Sequence, residues 1–301
     1  MKNYLSIDIG GTEVKYAHLS SSGKIIDKGK MATLKNKVDF LNSLDKIIQQ
    51  DVANLKGLGV CAPGKIDKTK ICFGGALPFL DGIDFAQVYG DKYDFPVAVI
   101  NDGKASILAE SWLGNLKGEK NCAAITLGTA VGGGIMIDGQ LLSGVHAQAG
   151  ELSFMICDSS QAKTMLGSMA YRGSAVQFVR KVNQVLHYQD ETDGKYAFAA
   201  IKNQVPEAVA IFNEYCLKIA ILILNLQTVI DINKVAIGGG ISAQSILIEG
   251  INAAYDRFTT IDNPIIGQTL VKPNIVSAKF RNDSNLYGAL YNLLLQVNNE
   301  K

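Results

Sequence analysis

The five cysteines of this 301-residue chain, at 61, 72, 122, 157 and 216, include no CxxC pair. Three lie in apolar stretches, so they read as reduced core thiols, the state kept in a cytoplasm. Charge of one sign is also missing. The 29 basic and 28 acidic residues leave a net +1, with no basic stripe and no charged tail. This argues against nucleic acid and anionic membrane surfaces as partners. No charged region followed by a leader-like apolar core precedes the first strand, so no targeting segment is expected. Nor does any apolar run have membrane length. The longest, Ile219 to Ile230, is interrupted by Asn225 and Gln227 and reads as a buried helix.

What is present is a core-forming composition, 48% apolar and 19% charged, and enough chain for two lobes of roughly 100–200 residues. Strands are expected at 3–9, 14–19 and 24–30, the last two joined by the turn Ser21-Ser22-Gly23. Apolar residues at Phe40, Leu41, Leu44, Ile47 and Ile48 have helical spacing. Leu58 to Cys61 and Val97 to Ile100 read as buried strands, stopped by Pro63-Gly64 and by Asn101-Asp102-Gly103, with a helix from Lys104 to Trp112. The pattern then restarts. Cys122 to Leu127 is a strand, Gly128 to Gly134 a glycine-rich turn, and Ile135 to Ile137 a returning strand closed by Asp138-Gly139. A helix at 217–229, a strand at 235–237 ending in Gly238-Gly239-Gly240, and a closing helix complete an α/β order. The expected lobes are 1–115 and 116–285, the second being larger, with the helix of 286–301 folding back on the first.

The first strand ends in Asp8-Ile9-Gly10-Gly11-Thr12, with Lys15 three residues on. Glycines in such a turn let backbone N–H groups approach a phosphate unobstructed. Thr12 and Thr129 add hydroxyl donors. Asp8 beside a phosphate site is unfavourable unless a cation intervenes, and Mg²⁺ keeps waters while taking one or two carboxylates. Lys15 can reach a phosphate or pair with Asp8. A second turn, with Gly128, Thr129, Gly132 and Gly133, stands at the equivalent point of the second half, which implies an internal duplication. Neither turn is a Walker loop, since no GK[ST] follows, and neither is a GxGxxG opening a helix.

These residues resemble the DxGGTxxK motif of the ROK sugar kinases, the repressor, open-reading-frame and kinase family of the actin/hexokinase-like superfamily. The resemblance spans nearly the whole chain. GVCAPGKID at 59–67, the sugar-side loop at Gly75 to Leu80, Phe95-Pro96-Val97 through Asn101-Asp102, Leu127 to Ile135, IGGGIS at 237–242 and the helix start at Asn285 to Ala289 follow in the family's order. It implies a two-lobed, duplicated, ribonuclease H-like α/β fold with a cleft between the lobes. It implies ATP with Mg²⁺ held by Asp8 through water, and nucleotide contacts from Gly10, Gly11, Thr12, Lys15, Gly128, Thr129, Gly132, Gly133, Gly239 and Gly240. It implies a cytoplasmic homodimer acting on a small sugar.

By the same resemblance Asp102 is the base for the attacking sugar hydroxyl, Asn101 holds a neighbouring hydroxyl, and Glu151 holds another. A positioned carboxylate suits phosphoryl transfer. By residue type alone, Asn101-Asp102 is also an ordinary Asx turn and N-cap. Glu110, further into the same helix, reads as structural. The family string GExGH is kept only in part: Gly150-Glu151 is present, but Phe154 stands where the zinc-binding histidine would be. The following three-cysteine cluster is reduced to Cys157. A structural zinc site needs four N/S ligands, so no zinc is expected. Phe154, Met155 and Met165 are expected as the core that replaces it, with His146 at the surface or supporting a sugar contact from behind. Gly167 to Tyr171 offers no second sugar glutamate. An apolar C1 side walled by Phe154 and Met169 is therefore expected, suiting a β-glucoside or glucose phosphorylated on O6, with N-acetylmannosamine as the alternative. A ROK repressor would carry a helix-turn-helix lobe ahead of the first motif, where none is expected here. A non-catalytic sugar sensor would not need Asp8, Asp102 and both turns.

Overall fold

The computed structural model describes residues 2–299. The chain forms two compact units. The first comprises the residues up to Gly114, the segment Ser143–Ala149 and everything from Asp283 onward; the second comprises Asn115–Leu142 and Gly150–Asn282. The excursion of Ser143–Ala149 into the first unit had no sequence signal.

In the first unit, β1 (Asn3–Ile9), β2 (Glu13–Leu19) and β3 (Ile25–Ala32) form an antiparallel meander. Helix α1 (Lys37–Asp51) follows, capped by the Asn36 side chain, which accepts from the N–H groups of Val38 and Asp39. Next come β4 (Leu55–Ala62), the hairpin β5 (Lys65–Asp67) and β6 (Lys70–Phe73), the short α2 (Asp91–Tyr93), β7 (Val97–Asn101) and α3 (Asp102–Leu113). The sheet order is β3-β2-β1-β4-β7, with β4 parallel to both β1 and β7. Because β1 and β4 are central, they run as nearly continuous buried residues, as strands covered on both faces do.

The second unit repeats this topology. Strands β8 (Cys122–Leu127), β9 (Val131–Ile137) and β10 (Gln140–Leu141) form the meander, and β11 (Lys234–Gly238) and β12 (Asn274–Ser277) the parallel edge, in the order β10-β9-β8-β11-β12. Its helices are α4 (Met169–Arg172), α5 (Ala175–Val185), α6 (Gly194–Lys202), α7 (Pro206–Ile230), α8 (Ser245–Arg257) and α9 (Pro264–Thr269). Strand β9 starts earlier than expected. Gly132, Gly133 and Gly134 are not turn residues but pair in register with Thr126, Ile125 and Ala124. The turn shrinks to Gly128-Thr129-Ala130. Helix α7 is also longer than expected: at 25 residues it is long and apolar enough to cross a membrane. It is nonetheless a core helix, burying Phe212, Tyr215, Ile219, Ile223 and Leu226 among others.

The closing helix α10 (Ser284–Asn299) belongs to the first unit, where Leu286, Leu290 and Leu293 pack with Tyr4, Ala17, Leu19 and Ala98. A Cβ on Gly288 would overlap the Ala105 carbonyl of α3, so only glycine lets the two helix backbones come this close. The Ser6 hydroxyl donates to the Leu286 carbonyl at 2.6 Å.

Candidate active site

The two equivalent hairpin turns carry the clearest geometry. In the first, the Gly10 N–H donates to the Glu13 carbonyl at 3.0 Å, while Thr33 donates from its N–H to the Thr12 carbonyl and from its hydroxyl to the Gly10 carbonyl. The carbonyls are thus tied back into the fold. The N–H groups of Gly11 and Thr12 have no partner among the described residues. A Cβ on Gly11 would meet nothing within 4 Å. In the second turn the Gly128 N–H donates to the Ala130 carbonyl, and the Gly128 carbonyl accepts from the N–H groups of Ala175 and Val176. There the N–H groups of Thr129 and Ala130 are the ones without partners among the described residues. Both turns therefore present outward-facing donors on a fixed frame, the arrangement that binds anions.

Gly133 is different. It is buried in β9, and a Cβ there would overlap the Leu152 side chain and come within 3.3 Å of the Ala124 carbonyl. Its lack of a side chain serves packing against Leu152. Gly132 lies beside it in the same strand. Gly239, at φ +95°, is pressed against the Leu127 backbone, whereas Gly240 beside it is open.

Three parallel strands of the first unit end side by side and bring the carboxylates together. Asp8 on β1 lies opposite Lys15 on β2 and Cys61 on β4, and Ala62 on β4 lies opposite Asn101 on β7. Burial pushes the Asp8 carboxyl above its ordinary range. The Asn285 side chain, donating at 3.0 Å, and the Lys15 charge oppose that rise, while the Asp102 charge adds to it. Cys61 is fully buried, and burial holds its thiol well up, so it stays protonated and donates to Asp8. Asp102 opens α3 with its carboxyl on the Gly103 N–H at 2.8 Å. Desolvation by the surrounding protein raises this carboxyl too, although the residue as a whole is exposed. Asn101 is the N-cap: its oxygen accepts from Gly103 at 2.9 Å and its nitrogen donates to the Gly64 carbonyl at 3.1 Å. One amide N–H remains for a ligand.

The chain matches the ROK family over residues 4–296. It belongs to the ROK family. A β-glucoside kinase of Listeria innocua is 27% identical over 300 residues, covering 97% of this chain and 98% of that protein. A glucokinase of Halalkalibacterium halodurans is 27% identical, covering 85% and 86%. Among solved structures, a ROK family protein from Streptococcus pneumoniae in complex with sucrose is 28% identical with a TM-score of 0.89, covering 99% of both chains.

In this ROK chain Glu151 is exposed and opens a short 3-10 turn, Leu152–Phe154. The loop after it closes without a cysteine cluster, Cys157 alone donating from its thiol to the Gly167 carbonyl at 3.4 Å. Gly167 accepts from the N–H groups of Cys157 and Asp158 at 2.9 and 3.1 Å, and Met169 donates to Met155 at 2.8 Å. Arg172 pairs with Asp158 at 2.5 Å and donates to the Leu166 carbonyl. Among the described residues no group of three or more His, Cys, Asp or Glu is arranged for a metal ion. The expected replacement core is corrected: Phe154 and Met165 are 67% and 52% exposed, because backbone bonds and the ion pair, not their side chains, close the loop. Of the three only Met155 packs against the core. Met169 is buried in that core. His146 is exposed and Glu110 fully buried.

Sequence reasoning missed two residues. Asn285, a polar residue in the first turn of an apolar helix, reaches Asp8. Lys104 is nearly buried in α3 and donates to the Ala147 carbonyl at 2.6 Å, holding Ser143–Ala149 on the first unit. A lysine inside the apolar run KASILA was the available signal.

Proposed function

We propose that this protein is an ATP-dependent sugar kinase that phosphorylates the 6-hydroxyl of glucose or a β-glucoside. The observation that carries the reading is the pair of unpartnered N–H turns at equivalent points of a duplicated fold, one of them adjoining two carboxylates. In this reading Gly10, Gly11, Thr12, Gly128, Thr129 and Gly240 face the phosphates. Asp102 accepts the O6 proton as the bond from O6 to the γ-phosphorus forms and the bond from that phosphorus to the β-phosphate oxygen breaks, releasing ADP. Lys15 adds positive charge. Asn101, with its remaining N–H, and Glu151 orient the ring.

The half-buried Asp8 carboxylate beside phosphate donors fits Mg²⁺, which takes few protein ligands and many waters. Mg²⁺ would supply charge neutralisation along the triphosphate. Asn285 and Cys61 hold Asp8 oriented and favour its anion against burial. The reading includes a cytoplasmic homodimer, as the family resemblance implies, and no structural zinc, because Phe154 and the missing cysteines depart from the family's zinc-binding string.

The substrate choice rests on Phe154. Its exposed ring offers an apolar platform for a second sugar ring or an aryl group. The names of two relatives, a β-glucoside kinase and a glucokinase, are in keeping with it. The test is ADP release with glucose, cellobiose and N-acetylmannosamine. Glucosyl sugars should lead in kcat/KM, and Phe154→Ala should raise KM for cellobiose more than for glucose. Efficient use of N-acetylmannosamine alone would refute the substrate while leaving the kinase; no sugar-dependent ADP release with any of them would refute the kinase.

A further inference from the structure

Away from these residues, the second unit holds a pocket of about 330 Å³ lined by residues of α5 and α7 together with Tyr171 and Arg172 of α4. Its floor is aromatic. Phe178 and Tyr215 stack with ring centroids 4.4 Å apart, and both are nearly fully buried. Its rim is cationic, with Arg172, Arg180, Lys181 and Lys218 on the lining. Arg180 and Lys181 share the pocket face of α5, and Lys218 lies one turn beyond Glu214 on α7. Glu214 is gripped by Lys181 at 2.8 Å and Lys218 at 2.6 Å, which together hold its carboxyl at about 2. It stays ionised and fixes the two ammonium groups in place. Arg172 is tied to Asp158. Four cations thus face two acids, an excess that matches one dianion.

We propose that this pocket binds a small phosphomonoester. Such an ester carries about −1.5 to −2 charge at pH 7, and an arginine fork is suited to its oxygens. A hydroxylated or ring-bearing remainder has the aromatic floor to rest on, and the volume is that of a small-metabolite site. The pocket is wired to the second phosphate turn. The first N–H groups of α5, from Ala175 and Val176, hold the Gly128 carbonyl at 2.9 and 3.4 Å. Tyr215, from the pocket floor, donates to the Gly173 carbonyl just ahead of that helix at 3.0 Å. A ligand that steadies α5 therefore acts on the frame of the turn, and by linkage the nucleotide acts back on the ligand. Binding stands independently of the kinase reading; coupling to ATP rests on it.

The experiment is calorimetric titration of the full chain, without nucleotide, using glucose 6-phosphate and inorganic phosphate as probes. Glucose 6-phosphate should bind saturably and more tightly than inorganic phosphate. Arg180→Ala and Lys181→Ala should each weaken it about 10-fold or more, without changing the melting temperature, while Gly11→Val, which alters the first turn and not the pocket, leaves the binding that those two substitutions weaken intact. Absence of saturable binding at millimolar ester, or binding indifferent to both substitutions, overturns the site. Equal affinity for the two probes overturns the ester as its ligand. If the site binds, saturating it should shift KM for ATP in the wild type and not in Arg180→Ala; an unchanged KM overturns the coupling alone.

Discussion

Replacing Gly11 and, separately, Gly133 by valine distinguishes a glycine that leaves room for a ligand from one that leaves room for a neighbour. At Gly11 a new side chain meets nothing within 4 Å and φ lies outside the left-handed region. Folding stability should therefore change by no more than about 0.5 kcal/mol. The branched side chain would stand where a phosphate must approach the N–H groups of Gly11 and Thr12. Losing one hydrogen bond to a charged group is worth about 1.5–3 kcal/mol, so KM for ATP should rise about 10- to 150-fold. At Gly133 the new atoms would overlap Leu152. Overpacking of that kind costs about 1–3 kcal/mol, and each kcal/mol lowers the melting temperature by about 2–4 °C in units of this size. Thermal unfolding with ATP titrations on both variants reads the two effects apart. A Gly11→Val protein with wild-type KM for ATP would remove the first turn from the phosphate site. A Gly133→Val protein with unchanged stability would refute its packing role.

Asp102→Asn should keep the fold and lower kcat by about 10²–10⁴-fold. Because desolvation raises this carboxyl, kcat/KM of the wild type should fall with decreasing pH through a midpoint above the ordinary aspartate range; a limb at the ordinary value would contradict the site's electrostatics. Asn285→Ala removes a bond that favours the Asp8 anion, so its carboxyl should rise further and the Mg²⁺ requirement should increase most at acid pH. An unchanged metal titration across pH would show that Asn285 does not support Asp8. Purified protein should contain no stoichiometric zinc, and EDTA inhibition should be reversed by Mg²⁺ alone; one zinc per chain in elemental analysis would overturn the reading of residues 146–172.

The duplicated meander was legible because apolar strands, tight turns and a repeated glycine-threonine pair are local signals. The position of the second turn was not. A glycine run carries no side chain to alternate, so Gly132 to Gly134 read as loop although the sheet continues through them. Phe154 and Met165 were assigned to the core because apolar residues commonly lie there, yet the loop is closed by main-chain bonds and Arg172, and their burial is not required. Asp8 and Asp102 could be named from motifs. That Asn285 attends Asp8 depends on a contact 277 residues apart in sequence, beyond the reach of any window.

That long-range contact has a kinetic side. Ser6 meets Leu286 across 280 residues, and α10 fills the face of the first sheet that β1 begins to build. During synthesis the first strands must wait, one face bare, until nearly all of the intervening chain has been made. The second unit, whose sequence is continuous from Gly150 to Asn282, has no such delay for most of its core. Contacts of this separation slow folding and leave apolar surface open to capture by other chains. Ribosome-bound intermediates should therefore protect α7 and β11 before β1, and trimming the chain within α10 should disturb the Asp8 end of the molecule first.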